Sequence, residues 1–198
     1  MQERNSKVIA IVALCVGVVG LSLGFAAFSA NLTVSSSASV TPNANTFILT
    51  TANATCVDGA GETVDGMTAT ASGTSIAVSL PEAAFTAAGQ SLTCSVDVTS
   101  PNYDANLTSV TGGPLSCDLT STAGTAACAA IDVIVEHGTA AVGTMDKTTA
   151  LNYTTGVALA KGVAQTIEFK IDYPAQSQLP DGTLNVTIPN VVFAYETV

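Results

Sequence analysis

Hydrophobic and polar positions divide this chain into two unequal parts. From Val8 to Phe28 the residues are almost wholly apolar, VIAIVALCVGVVGLSLGFAAF, with no charge among them. From Asn31 onward the pattern switches to period two. Leu32, Val34, Ala38 and Val40 alternate with Ser and Thr, which predicts a strand with one buried face. A turn at Thr41-Pro42-Asn43-Ala44-Asn45 precedes a second predicted strand, Thr46–Thr50. Cys56–Gly66, CVDGAGETVDG, reads as a glycine-rich loop. Met67–Thr70 and Ser75–Leu80 read as short strands around a Ser72-Gly73 turn. Pro81–Gln90 reads as a connection with one helical turn.

The clearest alternation lies in Ser91–Thr99, where Leu92, Cys94, Val96 and Val98 share one face and Thr93, Ser95 and Asp97 the other. Strands follow at Ala105–Thr111 and Ala129–Glu136, separated by a Ser/Thr/Gly-rich hairpin from Cys117 to Cys128. Ile167, Phe169, Ile171 and Tyr173 alternate strictly with polar neighbours. After Asp181-Gly182 a final long segment begins, in which Leu184, Val186 and Ile188 do the same; Pro189-Asn190 interrupts it, as a bulge or an edge would, before Val192-Phe193-Ala194-Tyr195 resumes. No helical period is readable beyond Phe28. About nine short strands at 8–12-residue spacing predict an all-β chain, an antiparallel β-sandwich of jelly-roll-like type. A hydrophobic helix, acting as signal peptide or membrane anchor, is expected to precede it. The expected division is 1–28 for that helix and 29–198 for a single sandwich.

The start of the chain carries an address. Arg4 and Lys7 form a positive n-region, and Gly24-Phe25-Ala26 offers a small-x-small site, so cleavage is expected between Ala26 and Ala27. Counted through to Phe28, the run has 21 residues, enough to span a bilayer, so a retained anchor is the rival reading. Either way the positive residues stay inside and the sandwich is delivered outside. The segment GFAAFS, followed by alternating small residues, resembles the export-and-start signature of TasA/camelysin-type proteins. A second stretch, SLTCSVDVTSPNYDANLTSV, resembles the sandwich core of that group. The resemblance implies a bacterial surface or biofilm-matrix protein whose precursor is cut by a SipW-type signal peptidase. It further implies fibres in which the N-terminal strand of one subunit enters the sheet of the next. The metalloprotease-like activity reported for TasA relatives does not carry over, because this chain lacks H-E-x-x-H.

Charge narrows the partners. Of 198 residues only 10% are charged, and the formal net charge is −10. Beyond the apolar run, Lys147, Lys161 and Lys170 face fourteen acids, a balance of −11 that repels phosphate backbones and argues against nucleic acid. Self-association, other surface proteins and, through the N-terminal segment, the membrane are the expected partners.

Five cysteines occur. Cys15 lies in the apolar run and would leave with a cleaved signal. Cys56, Cys94, Cys117 and Cys128 are an even set in an exported domain, the usual mark of disulfides. Three connectivities exist. The preferred one joins Cys117 to Cys128 across a short loop and pins Cys56, in the glycine-rich loop, to Cys94 in a core strand. A zinc site is disfavoured, because no CxxC pair exists and the one histidine is distant in sequence.

Little else suggests chemistry. His137, the sole histidine, reads as a strand-end surface residue in Glu136-His137-Gly138, and no G-x-S-x-G elbow accompanies it. Asp58, Glu62 and Asp65 share one loop and are weak calcium candidates, with spacing unlike an EF-hand. No cofactor is expected. Five N-x-[ST] sequons, at Asn31, Asn53, Asn106, Asn152 and Asn185, fit a Thr- and Asn-rich composition or, in a glycosylating host, glycan sites. Carbohydrate clefts usually need aromatic platforms, and the chain has no Trp and four Tyr. The leading expectation is therefore a non-enzymatic surface or matrix protein, structural or adhesive. A surface-displayed carbohydrate- or calcium-binding module is the alternative.

Overall fold

The computed structural model describes residues 47–154, 156–175 and 180–198. The apolar run, the Ala26–Ala27 junction and the Asn31–Val40 strand lie outside the described residues. In chain order the strands are β1 (Thr50–Asp58), β2 (Thr63–Val64), β3 (Thr68–Ser72), β4 (Ser75–Ser79), β5 (Ala83–Phe85), β6 (Ser91–Thr99), β7 (Ala105–Gly112) and β8 (Ser116–Cys117). One helix, α1 (Thr122–Ala129), follows. Then come β9 (Asp132–His137), β10 (Ala140–Met145), β11 (Leu151–Tyr153), β12 (Val157–Leu159), β13 (Ala164–Asp172), β14 (Leu184–Thr187) and β15 (Val191–Thr197).

Every ladder is antiparallel. The first sheet runs β10-β9-β13-β6-β1-β2 and the second β11-β7-β15-β4-β3, with β12 also on β7. Take β4, β6, β7, β9, β10, β11, β13 and β15 as strands one to eight. The second sheet then reads one-eight-three-six and the first two-seven-four-five, which is the strand order of a jelly roll. Hydrophobic alternation produces this arrangement. Leu92, Cys94, Val96 and Val98 of β6 and Ile167, Phe169 and Ile171 of β13 are buried, as are Val191, Phe193 and Tyr195 of β15. The two inner faces meet in one core, where the Phe169 and Phe193 rings stand edge to face at 6.0 Å.

Several sequence expectations need correction. The strand predicted at Thr46–Thr50 begins only at Thr50. Phe47 and Leu49 are buried and Ile48 is exposed, so the alternation there is real, but no ladder accompanies it. The Cys56–Gly66 loop is mostly hairpin, because β1 continues through Cys56 to Asp58 and pairs with β2. Pro81–Gln90 holds a strand, β5, and no helical turn. Instead Gln90 Oε1 accepts from the backbone amides of Thr86 and Ala87 and closes the turn.

The Cys117–Cys128 segment is a helix rather than a hairpin. Gly124, Ala127 and Cys128 form its buried face. Ser121 caps it by accepting from the Gly124 amide at 3.0 Å, and donates to Asp181 at 2.7 Å. A Cβ on Gly124 would lie 2.3 Å from that of Leu119, so only glycine fits there. The helix rests on a small third sheet, β5-β14-β8.

The cysteines form two disulfides, Cys56–Cys94 between neighbouring strands β1 and β6, and Cys117–Cys128 between β8 and α1. Two structural disulfides mark a chain that matures in an oxidising compartment. No helix among the described residues is long and apolar enough to cross a membrane.

Candidate functional site

The acidic loop is a self-contained turn. Asp58 Oδ1 accepts from the backbone amides of Ala60 and Glu62, both at 2.9 Å, so that carboxylate stabilises its own hairpin. Asp58, Glu62 and Asp65 are not brought together as ligands. No group of three His, Cys, Asp or Glu side chains among the described residues could hold a metal ion. Beside the turn lies a cleft of about 410 Å³, with Glu82 and Asp58 at its margin and Phe85 and Leu92 among its lining.

His137 is buried, not on the surface as its polar neighbours suggested. Its Nε2 lies 2.9 Å from the Tyr195 hydroxyl, a link from β9 in one sheet to β15 in the other. Period two counted from Val133 and Val135 already points His137 inward; Glu136 and Gly138 hid the signal. Burial lowers its pKa to about 4, against smaller opposing effects from its own backbone and from Gln165, and pushes the Tyr195 phenol up. A neutral, enclosed imidazole engaged by a phenol is a strut between sheets rather than a general base.

Its titration has a defined sign. With a folded pKa of about 4 and an ordinary value of 6.5, the unfolded chain binds the extra proton between those limits. Stability is therefore complete above about pH 6.5 and falls as pH drops toward 4, by roughly 3 kcal/mol in all. Urea titrations across this window should show that slope in the parent and a flattened one in His137→Gln. Equal slopes would show that another group is responsible. Asp97, whose carboxylate is held low first by Asn53 and then by Thr166, loses its contribution at lower pH.

The sequons separate clearly. Asn53 Nδ2 donates to Asp97 at 2.8 Å, and Asn185 Nδ2 donates to Asp118 at 2.7 Å. Asn106 is half-buried in β7, between β12 and β15. Asn152 is exposed on β11, and Asn31 lies outside the described residues.

The sheet edges are the remaining candidate. Edge strands normally discourage pairing by being short, bulged or charged. Here β2 and β11 are two and three residues long, and β10 carries a register shift at Gly143. β1 is bulged between Ala52 and Thr55, where Asn53 sits at φ 53°. β3 has neither a bulge nor a charge. Its sequence Thr-Ala-Thr-Ala-Ser is uncharged, pairs with β4 in unbroken register, and has no second partner strand among the described residues. Its nearest fixed point on the open side is Thr51, whose hydroxyl donates to the Ala69 carbonyl at 3.2 Å.

No family model and no curated protein matches this chain. Among solved structures it is similar to the secreted serine protease VesC from Vibrio cholerae, at 11% identity and TM-score 0.25, over 60% of this chain and 21% of that one. It is also similar to a GH31 alpha-xylosidase from Xanthomonas citri, at 9% identity and TM-score 0.29, over 73% of this chain and 16% of that one. The chain thus spans about a fifth or less of each, and such low scores carry no argument about its activity.

Proposed function

We propose that this is an exported, non-catalytic structural or adhesive protein of the cell surface or extracellular matrix, of the TasA/camelysin type. In this reading its N-terminal strand joins subunits into fibres. The observation that carries the reading is the uncharged, unbulged edge of β3, met on its open side by one side-chain hydrogen bond from Thr51, in a disulfide-bonded jelly roll. Strand addition to such an edge draws affinity from main-chain hydrogen bonds and needs only a compatible side-chain alternation. Asn31–Val40, NLTVSSSASV, offers that alternation and carries no charge. Only six residues, 41–46, separate it in sequence from Phe47, where the chain is already anchored in the core.

The test is deletion of Ala27–Val40 followed by electron microscopy of the exported protein. Loss of filaments, with the melting temperature of the sandwich retained, is the expected result. Filaments as abundant as in the parent would exclude strand donation.

A further inference from the structure

The two outer faces of the sandwich differ sharply in charge. On the first sheet, Asp97, Asp132, Glu136, Glu168 and Asp172 alternate with buried residues and face outward, with Lys170 as the lone cation, 2.8 Å from Glu136. On the second sheet a transverse row runs unbroken across five strands: Thr70, Ala77, Val192, Thr111 and Asn152, each registered with the next. Ser75 and Ala194 continue the same character in the adjoining row, and Glu196 is the one charged residue on the strands of this sheet. Val192 stands in the middle at 37% exposure. Immediately beside it is a shallow depression of about 380 Å³ that Thr111, Leu151 and Asn190 help to line.

We propose that this uncharged face is a contact surface for a second copy of the same chain, packed face to face about a two-fold axis. Two observations select that occupant. A chain carrying −11 beyond its apolar run repels its own copies everywhere except where carboxylates are missing, and this face is such a place. Val192, partly exposed at the wall of the hollow, also gives one surface both an apolar side chain and a depression, which suits an isologous contact. Small Ala, Ser and Thr side chains let two such sheets approach closely. Five strands about 4.8 Å apart, each about 20 Å long at about 3.3 Å per residue, give roughly 500 Å² per copy. The total of roughly 1,000 Å² is at the low end for specific interfaces. Pairwise contact is therefore weak and becomes effective when many copies are aligned, as in neighbouring fibres. The contact uses a different surface from the β3 edge and does not depend on strand donation.

Sedimentation of the exported protein tests the proposal. Association should strengthen between about 20 and about 500 mM salt, because salt screens the net repulsion while the contact itself holds no ion pair. Val192→Glu should weaken association by about tenfold or more, since it sets carboxylates against each other. Ile134→Glu, a control on the acidic face, should leave it unchanged. Thr111→Glu repeats the test should Val192→Glu fold poorly. A protein that stays monomeric, association that weakens with salt, or Glu variants that associate like the parent would each overturn the proposal. Where filaments form, Val192→Glu should leave them single but abolish side-by-side pairing, whereas deletion of Ala27–Val40 removes filaments and spares the pairwise contact.

Discussion

Replacing Phe169 with alanine is expected to destabilise the sandwich by about 3–5 kcal/mol, the usual range for emptying a buried phenylalanine site. Phe169 is fully buried on β13, a central strand of the first sheet, and its ring meets Phe193 of β15, a central strand of the second. The substitution removes one side of the edge-to-face pair and leaves a void where two sheets meet, so neither sheet can relax into it without shifting both ladders. For a domain of this size each kcal/mol lowers the melting temperature by roughly 2–4 °C, and the variant should melt roughly 10 °C or more below the parent. Val163→Ala, at an exposed position, should change it little. Differential scanning calorimetry decides the matter. A Phe169→Ala curve superimposed on that of Val163→Ala would mean that the two sheets do not share one core.

Removing the Cys56–Cys94 bridge, by changing both cysteines to alanine, should cost about 4 kcal/mol against about 3 kcal/mol for Cys117–Cys128. This follows from the larger separation it closes in the unfolded chain, 38 residues rather than 11. The bridge joins directly opposed residues of β1 and β6, and β1 is the bulged outer strand that carries the chain from Phe47 into the sheet. Without it β1 is held by its ladder to β6 and its two pairs with β2. Access gives a second signature. Cys56 and Cys94 are both buried, whereas Cys117 is half-exposed, so a mild reductant should open Cys117–Cys128 first in the native protein. Mass mapping of alkylated cysteines would show the order. Prior reduction of Cys56–Cys94 would mean that β1 opens more readily than its burial indicates.

The long strands were legible because nothing competes with period two in them. β6 has the predicted limits, β13 contains Ile167, Phe169 and Ile171, and β14 contains Leu184 and Val186, whose alternation announced them. The helix was not legible. Its buried face consists of Gly124, Ala127 and Cys128, so the helical spacing exists but carries too little hydrophobic contrast to be seen. β5, β8, β11 and β12 span two or three residues, less than one full alternation, and only their partners define them. Sequence could place the four cysteines in strands and loops, but the opposition of Cys56 and Cys94 depends on β1 continuing through Cys56 to Asp58, where the glycine content suggested a loop. The β3 edge is a different case. The Met67–Thr70 strand was foreseen, yet whether a strand is central or terminal depends on the order of pairing, and no local pattern records that. The jelly-roll order itself follows from which hydrophobic faces find one another across more than a hundred residues, as Val78 and Val191 do.

That order constrains how such a molecule comes into being. β15 is the last sandwich strand in chain order, yet it fills the position between β4 and β7, and β13 likewise completes the gap between β6 and β9. A chain delivered N-terminus first therefore cannot complete the first sheet until β13 has emerged, nor the second until β15 has. Until then the hydrophobic faces of β4, β6, β7 and β9 lack their central partner strands. Completion of both sheets thus waits on the C-terminal strands, and non-local pairing of this kind forms late and slowly.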